Sequence, residues 1–230
     1  FVKMFLAPKH PSAESLGSDD VKERKLAACL AFERRHLEIQ SRIDPSAPGG
    51  GNLVATKDFF RIESTYYKVT EKVDAVDVPA FGSLSARQRV VLLRTLVFSV
   101  SLLHDRDIVH GDLKLDNVMI QPAGEGLYTT KLIDFDEAYI VGDPPAPELI
   151  VGDPTYYSPE LHRYIKRDPT FDPSSLGVAS DLFSLGILLH VLLCGAPPDF
   201  DRRRHTYPCE VVVSGGELDH GAAPAPLVET

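Results

Sequence analysis

The sequence is poor in cysteine, the residue that small disulfide-stabilised proteins use heavily. Its 230 residues include no tryptophan and three cysteines, Cys29, Cys194 and Cys209. An odd number at wide spacing excludes a disulfide framework and the paired spacing of a zinc site. Cys29 and Cys194 fall in apolar helical patterns, which predicts buried free thiols. Free thiols are typical of a reducing compartment, so we expect a cytoplasmic protein.

Positive charge and long apolar runs are also scarce. The chain has 24 basic against 33 acidic residues, a formal net charge of −9. This balance argues against a broad surface for nucleic acid or anionic membranes. It does not exclude a nucleotide, because a few local cations can serve one triphosphate. The longest apolar run, 182–194, is shorter than the roughly 18 residues of a membrane-spanning helix, so we expect no membrane span.

Periodicity predicts a strand-rich first part and a helical second part. We expect strands over 1–6, 53–62 and 65–73, with a hairpin turn at Glu63-Ser64. We expect helices over 21–43, 85–105 and 179–194, with Asp19 or Asp20 capping the first. The apolar pattern of that first helix runs through Leu26, Leu30, Leu37 and Ile39. Residues 7–20, 45–52 and 74–83 are interpreted as loops and connectors.

A polar loop lies between two apolar pairs in residues 108–120, IVHGDLKLDNVMI. Within it, Lys114 follows Asp112 by two positions and Asn117 follows by five. Further on, in KLIDFDEAY, Asp134 ends a short apolar stretch. A carboxylate, a cation and an amide oxygen held around a triphosphate, with a second carboxylate for a metal ion, would suit phosphate chemistry. A plain polar turn is the alternative interpretation.

The motifs resemble those of protein kinases. HGDLKLDN is similar to the catalytic loop HRDLKxxN, and Asp134-Phe135-Asp136 resembles the DFG segment. GDPTYYSPE at 152–160 resembles the end of the activation segment, and SDLFSLG at 180–186 resembles the start of the long buried helix. The resemblance to a eukaryotic-type Ser/Thr protein kinase catalytic domain covers residues 1–200. It implies a two-lobed α+β fold that begins here at the family's third strand, so the family's glycine-rich phosphate loop does not appear in this sequence.

The domain boundaries follow from this resemblance. Residues 1–76 would be a partial first lobe with the third strand, a helix, two further strands and the hinge. Residues 77–200 would be the second lobe, with the catalytic loop, the activation segment and the buried helix. The Gly-, Pro- and Ala-rich stretch 201–230 is predicted to be a weakly structured tail.

The resemblance implies ATP and Mg²⁺ as cofactors, and it assigns the nucleotide-binding residues. Lys3 would contact the α- and β-phosphates and would be held by Glu33. The gatekeeper and hinge around adenine would be contributed by three residues at the end of the predicted strand 65–73, with an apolar residue beneath the ring. These four residues are Thr70, Glu71, Val73 and Met119.

The resemblance also assigns roles to the residues of the catalytic loop. Asn117 and Asp134 would hold Mg²⁺, Asp112 would accept the proton of the attacking hydroxyl, and Lys114 would neutralise the γ-phosphate. Asp181 would brace the loop backbone and is interpreted as structural. Three further residues would belong to the apolar spine that joins the lobes: Leu37, His110 and Phe135.

Three positions depart from the family pattern. Gly111 replaces the arginine that in the family binds a phosphate group on the activation loop. Residues 135–152 contain no Ser or Thr that could carry such a phosphate. The resemblance therefore implies activity that does not depend on activation-loop phosphorylation. Asp136 replaces the glycine of DFG and removes backbone freedom there. Asp153 replaces a threonine and would either pair with Lys114 or repel Asp112.

Two other functions stay open at this point. HGD and IDF also resemble small-molecule phosphotransferases of the aminoglycoside or choline kinase type, although SPE at 158–160 favours a protein substrate. A pseudokinase that binds nucleotide without transferring phosphate is the second alternative. We expect a protein Ser/Thr kinase with a protein substrate and no nucleic-acid partner.

Overall fold

The computed structural model describes residues 1–12, 18–44, 46, 50–76 and 81–221. Parts of the predicted loop at 45–52 and of the connector at 74–83 lie outside these ranges, at residues 45, 47–49 and 77–80. So do residues 13–17 of the predicted loop at 7–20 and residues 222–230 of the predicted tail.

The first lobe contains a three-stranded antiparallel sheet. Its strands are β1 (Val2–Met4), β2 (Thr56–Ile62) and β3 (Thr65–Thr70), in the order β1-β3-β2. The hairpin between β2 and β3 turns at Glu63-Ser64 as predicted, with Glu63 in the left-handed region at φ 51°. The strands are shorter than predicted because β1 pairs with β3 over three residues only.

Helix α1 (Asp19–Arg42) packs with a different face from the predicted one. Cys29, His36 and Ile39 are buried, and their spacing of seven and three residues puts them on one side of the helix. Leu30 and Leu37 are 54% and 52% exposed. The prediction that Leu37 joins an apolar spine is therefore wrong. The helix begins after Ser18, so Asp19 and Asp20 lie in its first turn, where a negative charge favours the positive end of the helix.

The second lobe follows the predicted helices closely. Helix α2 matches residues 85–105 because Ser85 and Gln88 form a capping box at its start. Short strands pair as β4 with β7 and β5 with β6. The elements are α2 (Ala86–His104), β4 (Ile108–Val109), β5 (Val118–Pro122), β6 (Tyr128–Leu132), β7 (Tyr139–Ile140), α3 (Pro159–Ile165), α4 (Val178–Cys194) and α5 (Pro208–Val213).

The main core lies between α2, α4 and the strands around the catalytic loop. Leu103, Ile108, Leu132 and Leu188 are fully buried in it. The same cluster contains Ile39 and Ile43 at the end of α1. The first-lobe helix is thus attached to the second lobe by apolar packing, and the fold is the two-lobed α+β arrangement that the sequence predicts.

The predicted weakly structured tail is wrong over its described part, residues 201–221. Helix α5 lies there and packs against α3, with Cys209 fully buried beside His162. The Gly- and Pro-rich composition concealed a short apolar segment that has a partner only in the folded chain.

Cys194 is exposed, because it is the last residue of α4, and the prediction that it is buried is wrong. Among the described residues, no helix is long and apolar enough to cross a bilayer.

Two leucines of α4 provide a matched test of this packing. Leu188→Ala removes a fully buried side chain, whereas Leu182→Ala changes one that is 54% exposed. We expect Leu188→Ala to lower the free energy of unfolding by about 2–5 kcal/mol, and Leu182→Ala to change it by no more than about 0.5 kcal/mol. Urea denaturation measures both. Equal losses would contradict the assignment of the core.

Candidate active site

A buried carboxylate fixes the backbone of the predicted catalytic loop. Asp181 lies near the start of α4 and accepts hydrogen bonds from the backbone N–H groups of His110, at 2.7 Å, and Gly111, at 3.1 Å. Nε2 of His104 lies 3.0 Å from the same carboxylate. The predicted structural role of Asp181 is confirmed. Because these two N–H groups immediately precede Asp112, Asp181 determines where that side chain projects.

The loop brings Asp112, Lys114 and Asn117 into contact. Lys114 Nζ donates to Asp112 Oδ2 at 2.7 Å, and Asn117 Nδ2 donates to the same oxygen at 3.0 Å. Asn117 Nδ2 also donates to the Asp112 carbonyl at 2.8 Å. Partial burial alone would lower the pKa of Lys114, but the hydrogen bond and charge of Asp112 outweigh it and raise that pKa. Lys114 therefore stays a cation next to the proposed base.

Asp153 lies close to this group without bonding to it. Its Oδ1 accepts a hydrogen bond from the backbone N–H of Thr155 at 2.9 Å. Its negative charge is a smaller contribution to the raised pKa of Lys114, after those of Asp112 and Asp116. Of the two predicted outcomes, the favourable interaction with Lys114 is present, but only at longer range.

Gly111 occupies a position that a side chain cannot enter. Its φ is +78°, in the left-handed region, and an added Cβ would lie 2.5 Å from the carbonyl oxygen of Glu137. The arginine that the family carries at this point would therefore require the activation segment to move. Glycine is the residue that this backbone geometry accepts.

The aspartate that the sequence predicts to bind metal follows β6 in a constrained conformation. Asp134 has φ +62° and is part of the loop after β6. The backbone N–H of Ile133 donates to the Asn117 carbonyl at 3.1 Å, which keeps the two predicted metal-binding segments side by side. His110 donates from Nε2 to the Ile133 carbonyl at 3.2 Å, and its ring lies 5.2 Å from that of Phe135. The predicted packing of His110 beside Phe135 is confirmed.

Two adjoining cavities lie between the lobes. The larger has a volume of about 410 Å³, within the usual range for small-molecule sites. The smaller, of about 190 Å³, shares Lys3 and Asp134 with it and is also lined by Asp112 and Lys114. Besides Asp134, the larger cavity is lined by five of the predicted nucleotide-binding residues, by three further apolar residues and by two further lysines: Lys3, Thr70, Glu71, Val73, Met119, Phe1, Val54, Ile133, Lys68 and Lys72.

These cavities fit ATP and a magnesium ion. Apolar walls from Val54, Met119 and Ile133 suit a flat base, and Lys3 lies where the two cavities join, toward the phosphates. Among the described residues, no cluster of three or more His, Cys, Asp or Glu could hold a metal by itself. Asp134 and Asn117 supply only two side chains, which suits Mg²⁺ because it usually binds one or two protein ligands together with substrate phosphates.

The predicted contact between Lys3 and Glu33 is not formed. Glu33 Oε1 accepts a hydrogen bond from Tyr66 Oη at 2.7 Å. Lys3 Nζ instead donates to both carboxylate oxygens of Asp134 at 3.0 Å and lies 2.5 Å from Asp136. Glu33 lies beside the buried face of α1 rather than at its centre, and it does not line either cavity.

Sequence reasoning missed two residues of the first lobe. Lys68 of β3 is buried and contacts Asp136, and His36 occupies the middle of the inward face of α1. Burial, and then the positive charges of Arg35, Lys68 and Lys3, lower the pKa of His36 to about 3. Both could have been found from periodicity. His36 continues the stripe of Cys29 and Ile39, and Lys68 shares a strand face with Tyr66.

Comparison with known proteins agrees with this geometry. The family model described as "Protein kinase domain" matches residues 35–213. The chain belongs to the protein kinase family. The match contains the catalytic loop, Asp134 and helix α4.

The curated relatives that match this chain are named as kinases, and one of them is named a serine/threonine-protein kinase. The meiosis-specific serine/threonine-protein kinase mek1 of Schizosaccharomyces pombe is 23% identical over 87% of this chain and 45% of its own length. A probable myosin light chain kinase of Dictyostelium discoideum is 29% identical over 76% of this chain and 54% of its own. Calcium-dependent protein kinase 7 of Arabidopsis thaliana is 27% identical over 84% of this chain and 35% of its own length. The chain thus spans about half or less of these relatives.

Gly111 and Gly124 separate the effects of backbone strain and steric conflict. Both are left-handed, at φ +78° and +79°, but a Cβ at Gly124 would meet nothing within 4 Å. We expect Gly124→Ala to cost about 1–2 kcal/mol of unfolding free energy from strain alone. Gly111→Ala should cost about 1–3 kcal/mol more, because the Cβ meets the Glu137 carbonyl. Denaturation of both variants measures this difference, and equal costs would contradict the close approach of residue 137.

Proposed function

We propose that this chain is the catalytic part of a protein serine/threonine kinase that uses ATP and Mg²⁺. The observation that carries the proposal is the convergence of Lys3, Asp112, Lys114 and Asp134 on two adjoining cavities. A family member with one of these groups missing or turned away would be a weaker candidate for catalysis.

The residues of this chain would divide the work of phosphoryl transfer between them. Asp112 would orient the attacking hydroxyl and accept its proton, and Lys114 would offset negative charge on the transferred group. Asn117 and Asp134 would hold Mg²⁺, which when bound neutralises charge on the phosphates. Lys3 would contact the α- and β-phosphates, and the hinge residues Thr70 to Val73 would border the base.

A protein substrate is supported by the ordered platform after the activation segment. Ser158 caps α3 by accepting the N–H of Leu161 at 3.1 Å, and its hydroxyl lies 2.8 Å from that of Ser180 on α4. This contact attaches the SPE segment to the buried helix. The curated relatives are protein kinases by name, and mek1 is named a serine/threonine-protein kinase, which further supports this substrate class over a small molecule. All three cysteines are free, the basis for proposing a cytoplasmic location.

We also propose that the kinase works without phosphorylation of its activation segment. Arg34 of α1 donates to Asp143 at 3.1 Å and Arg35 donates to the Asp136 carbonyl at 3.2 Å, so α1 contacts the segment directly. Further along the activation segment, Glu148 accepts a hydrogen bond from Arg167 at 2.7 Å. Tyr139, the one hydroxyl-bearing residue between Asp134 and Asp153, is buried in the core and out of reach of another kinase.

Asp112→Asn tests the proposed base. We expect the full natural protein carrying this change to lose about 10²- to 10⁴-fold in the rate of phosphate transfer to a basic protein acceptor. Its affinity for ATP should change little, because Asp112 lies away from the larger cavity. Transfer of labelled phosphate and binding of a fluorescent ATP analogue measure the two quantities.

Asp116→Asn is the matched control, since it makes the same change on an exposed residue of the same loop. We expect it to keep most of the activity. ATP binding by the wild type without transfer to any protein would instead favour a pseudokinase, and transfer only to small hydroxyl compounds would favour a small-molecule phosphotransferase.

Phosphatase treatment tests the second proposal. We expect the treated protein, and a Tyr139→Phe variant, to keep kcat within about twofold of the untreated wild type, because ion pairs rather than a phosphate hold the segment. Mass spectrometry confirms removal of phosphate. A large loss of kcat that returns on rephosphorylation within residues 135–152 would contradict the proposal.

A further inference from the structure

Two lysines lie side by side on the inner face of the first-lobe sheet. Lys3 of β1 and Lys68 of β3 are direct partners in the antiparallel register, so their side chains project from the same face. Lys68 is 4% exposed, and its ammonium group lies 5.9 Å from the centre of the Phe5 ring. Like charges directly opposite one another repel, so this pair requires negative charge close by.

Asp136 supplies that charge to both lysines. It lies 2.5 Å from Lys3 Nζ through one carboxylate oxygen and contacts Lys68 Nζ through the other. Its side chain is 11% exposed. Asp136 therefore lies between two cations, with one carboxylate oxygen toward each.

Asp134 contacts the same two cations less closely. It bonds to Lys3 at 3.0 Å and lies 3.7 Å from Lys68. The four side chains together balance two positive and two negative charges. If Asp134 holds a metal ion, its negative charge is shared with that ion, and Asp136 becomes the main carboxylate for Lys3.

Helix α1 offers no competing carboxylate. Its inward face carries His36, which stacks on Phe59 with ring centres 4.7 Å apart. Glu33 is bonded to Tyr66 and lies 3.9 Å from Arg61. Among the described residues, the carboxylates within ion-pair distance of Lys3 are Asp134 and Asp136.

We propose that Asp136 is the positioning residue that holds Lys3 toward the nucleotide, in place of a helix glutamate, and that Lys68 keeps Asp136 in position. This inference rests on the proposed function, because it concerns how Lys3 meets ATP. It accounts for two unusual residues together, an aspartate after Phe135 and a lysine in the buried face of β3.

A set of four proteins separates positioning from simple charge balance: the wild type, Asp136→Ala, the double variant Asp136→Ala/Lys68→Met, and Glu33→Gln. The measurements on the full natural protein are the Kd for ATP with Mg²⁺, KM and kcat, and the thermal midpoint. Asp136→Ala leaves Lys68 buried without its close partner, so we expect its Tm to fall by about 10 °C. The double variant removes both ends of that pair and should regain most of this loss.

The affinity for ATP should not recover with the stability. We expect Kd and KM for ATP to rise on the order of 10- to 100-fold in both Asp136→Ala and the double variant, because Lys3 loses the closer of its two carboxylate partners in each. Glu33→Gln should keep Kd within about twofold of the wild type, since Glu33 bonds to Tyr66 and not to Lys3.

Two results would overturn the inference. Recovery of wild-type Kd together with Tm in the double variant would mean that Asp136 only neutralises Lys68. A loss of ATP affinity in Glu33→Gln as large as in Asp136→Ala would mean that the helix glutamate holds Lys3. Failure of the wild type itself to bind ATP is a different outcome, which would overturn the proposed function and this inference with it.

Discussion

The carboxylate of Asp181 is the contact on which the second lobe depends most. It joins α4 to the end of α2 through His104 and to the catalytic loop through two backbone N–H groups. A buried carboxylate without partners would be strongly unfavourable, so the three donors and Asp181 require one another. Because Gly111 is left-handed and Glu137 approaches it closely, the loop has little freedom once this contact is made. The position of Asp112 follows from it.

The first lobe depends on a different balance of charge. Lys3 and Lys68 bring two cations to one face of a small sheet, and the segment 134–136 brings two carboxylates to meet them. This network crosses between the lobes, since the lysines belong to the sheet and the aspartates follow β6. Apolar contacts of Ile39 and Ile43 with the main core support the same junction from α1. The placement of Lys3 therefore depends on contacts that cross between the lobes.

Much of the second lobe could be predicted because its signals are local. Helix α2 has an apolar pattern dense enough to indicate burial, and Ser85 with Gln88 marks its start. The polar residues of the catalytic loop are adjacent in sequence, so their meeting requires only a turn held between two apolar strands. The first lobe was harder to predict from the sequence. Leucines on the exposed side of α1 suggested the wrong face, and Glu33 was assigned to Lys3 by the family resemblance. The tail was misjudged for a related reason, since the buried residues Cys209 and Val211 belong to a helix that packs against α3, which is distant in sequence.

The residue order alone was sufficient for the family, the two-lobed class and the catalytic loop, because each is encoded in short motifs and in helical or strand periodicity. It could not decide which carboxylate Lys3 meets. That choice depends on the register between β1 and β3, on the rotation of α1 about its axis, and on the close approach of residues 134–136 to a sheet more than sixty residues away in the chain. Each is a consequence of packing between distant segments, and electrostatic pairing at such distances in sequence becomes visible only when the lobes are in contact.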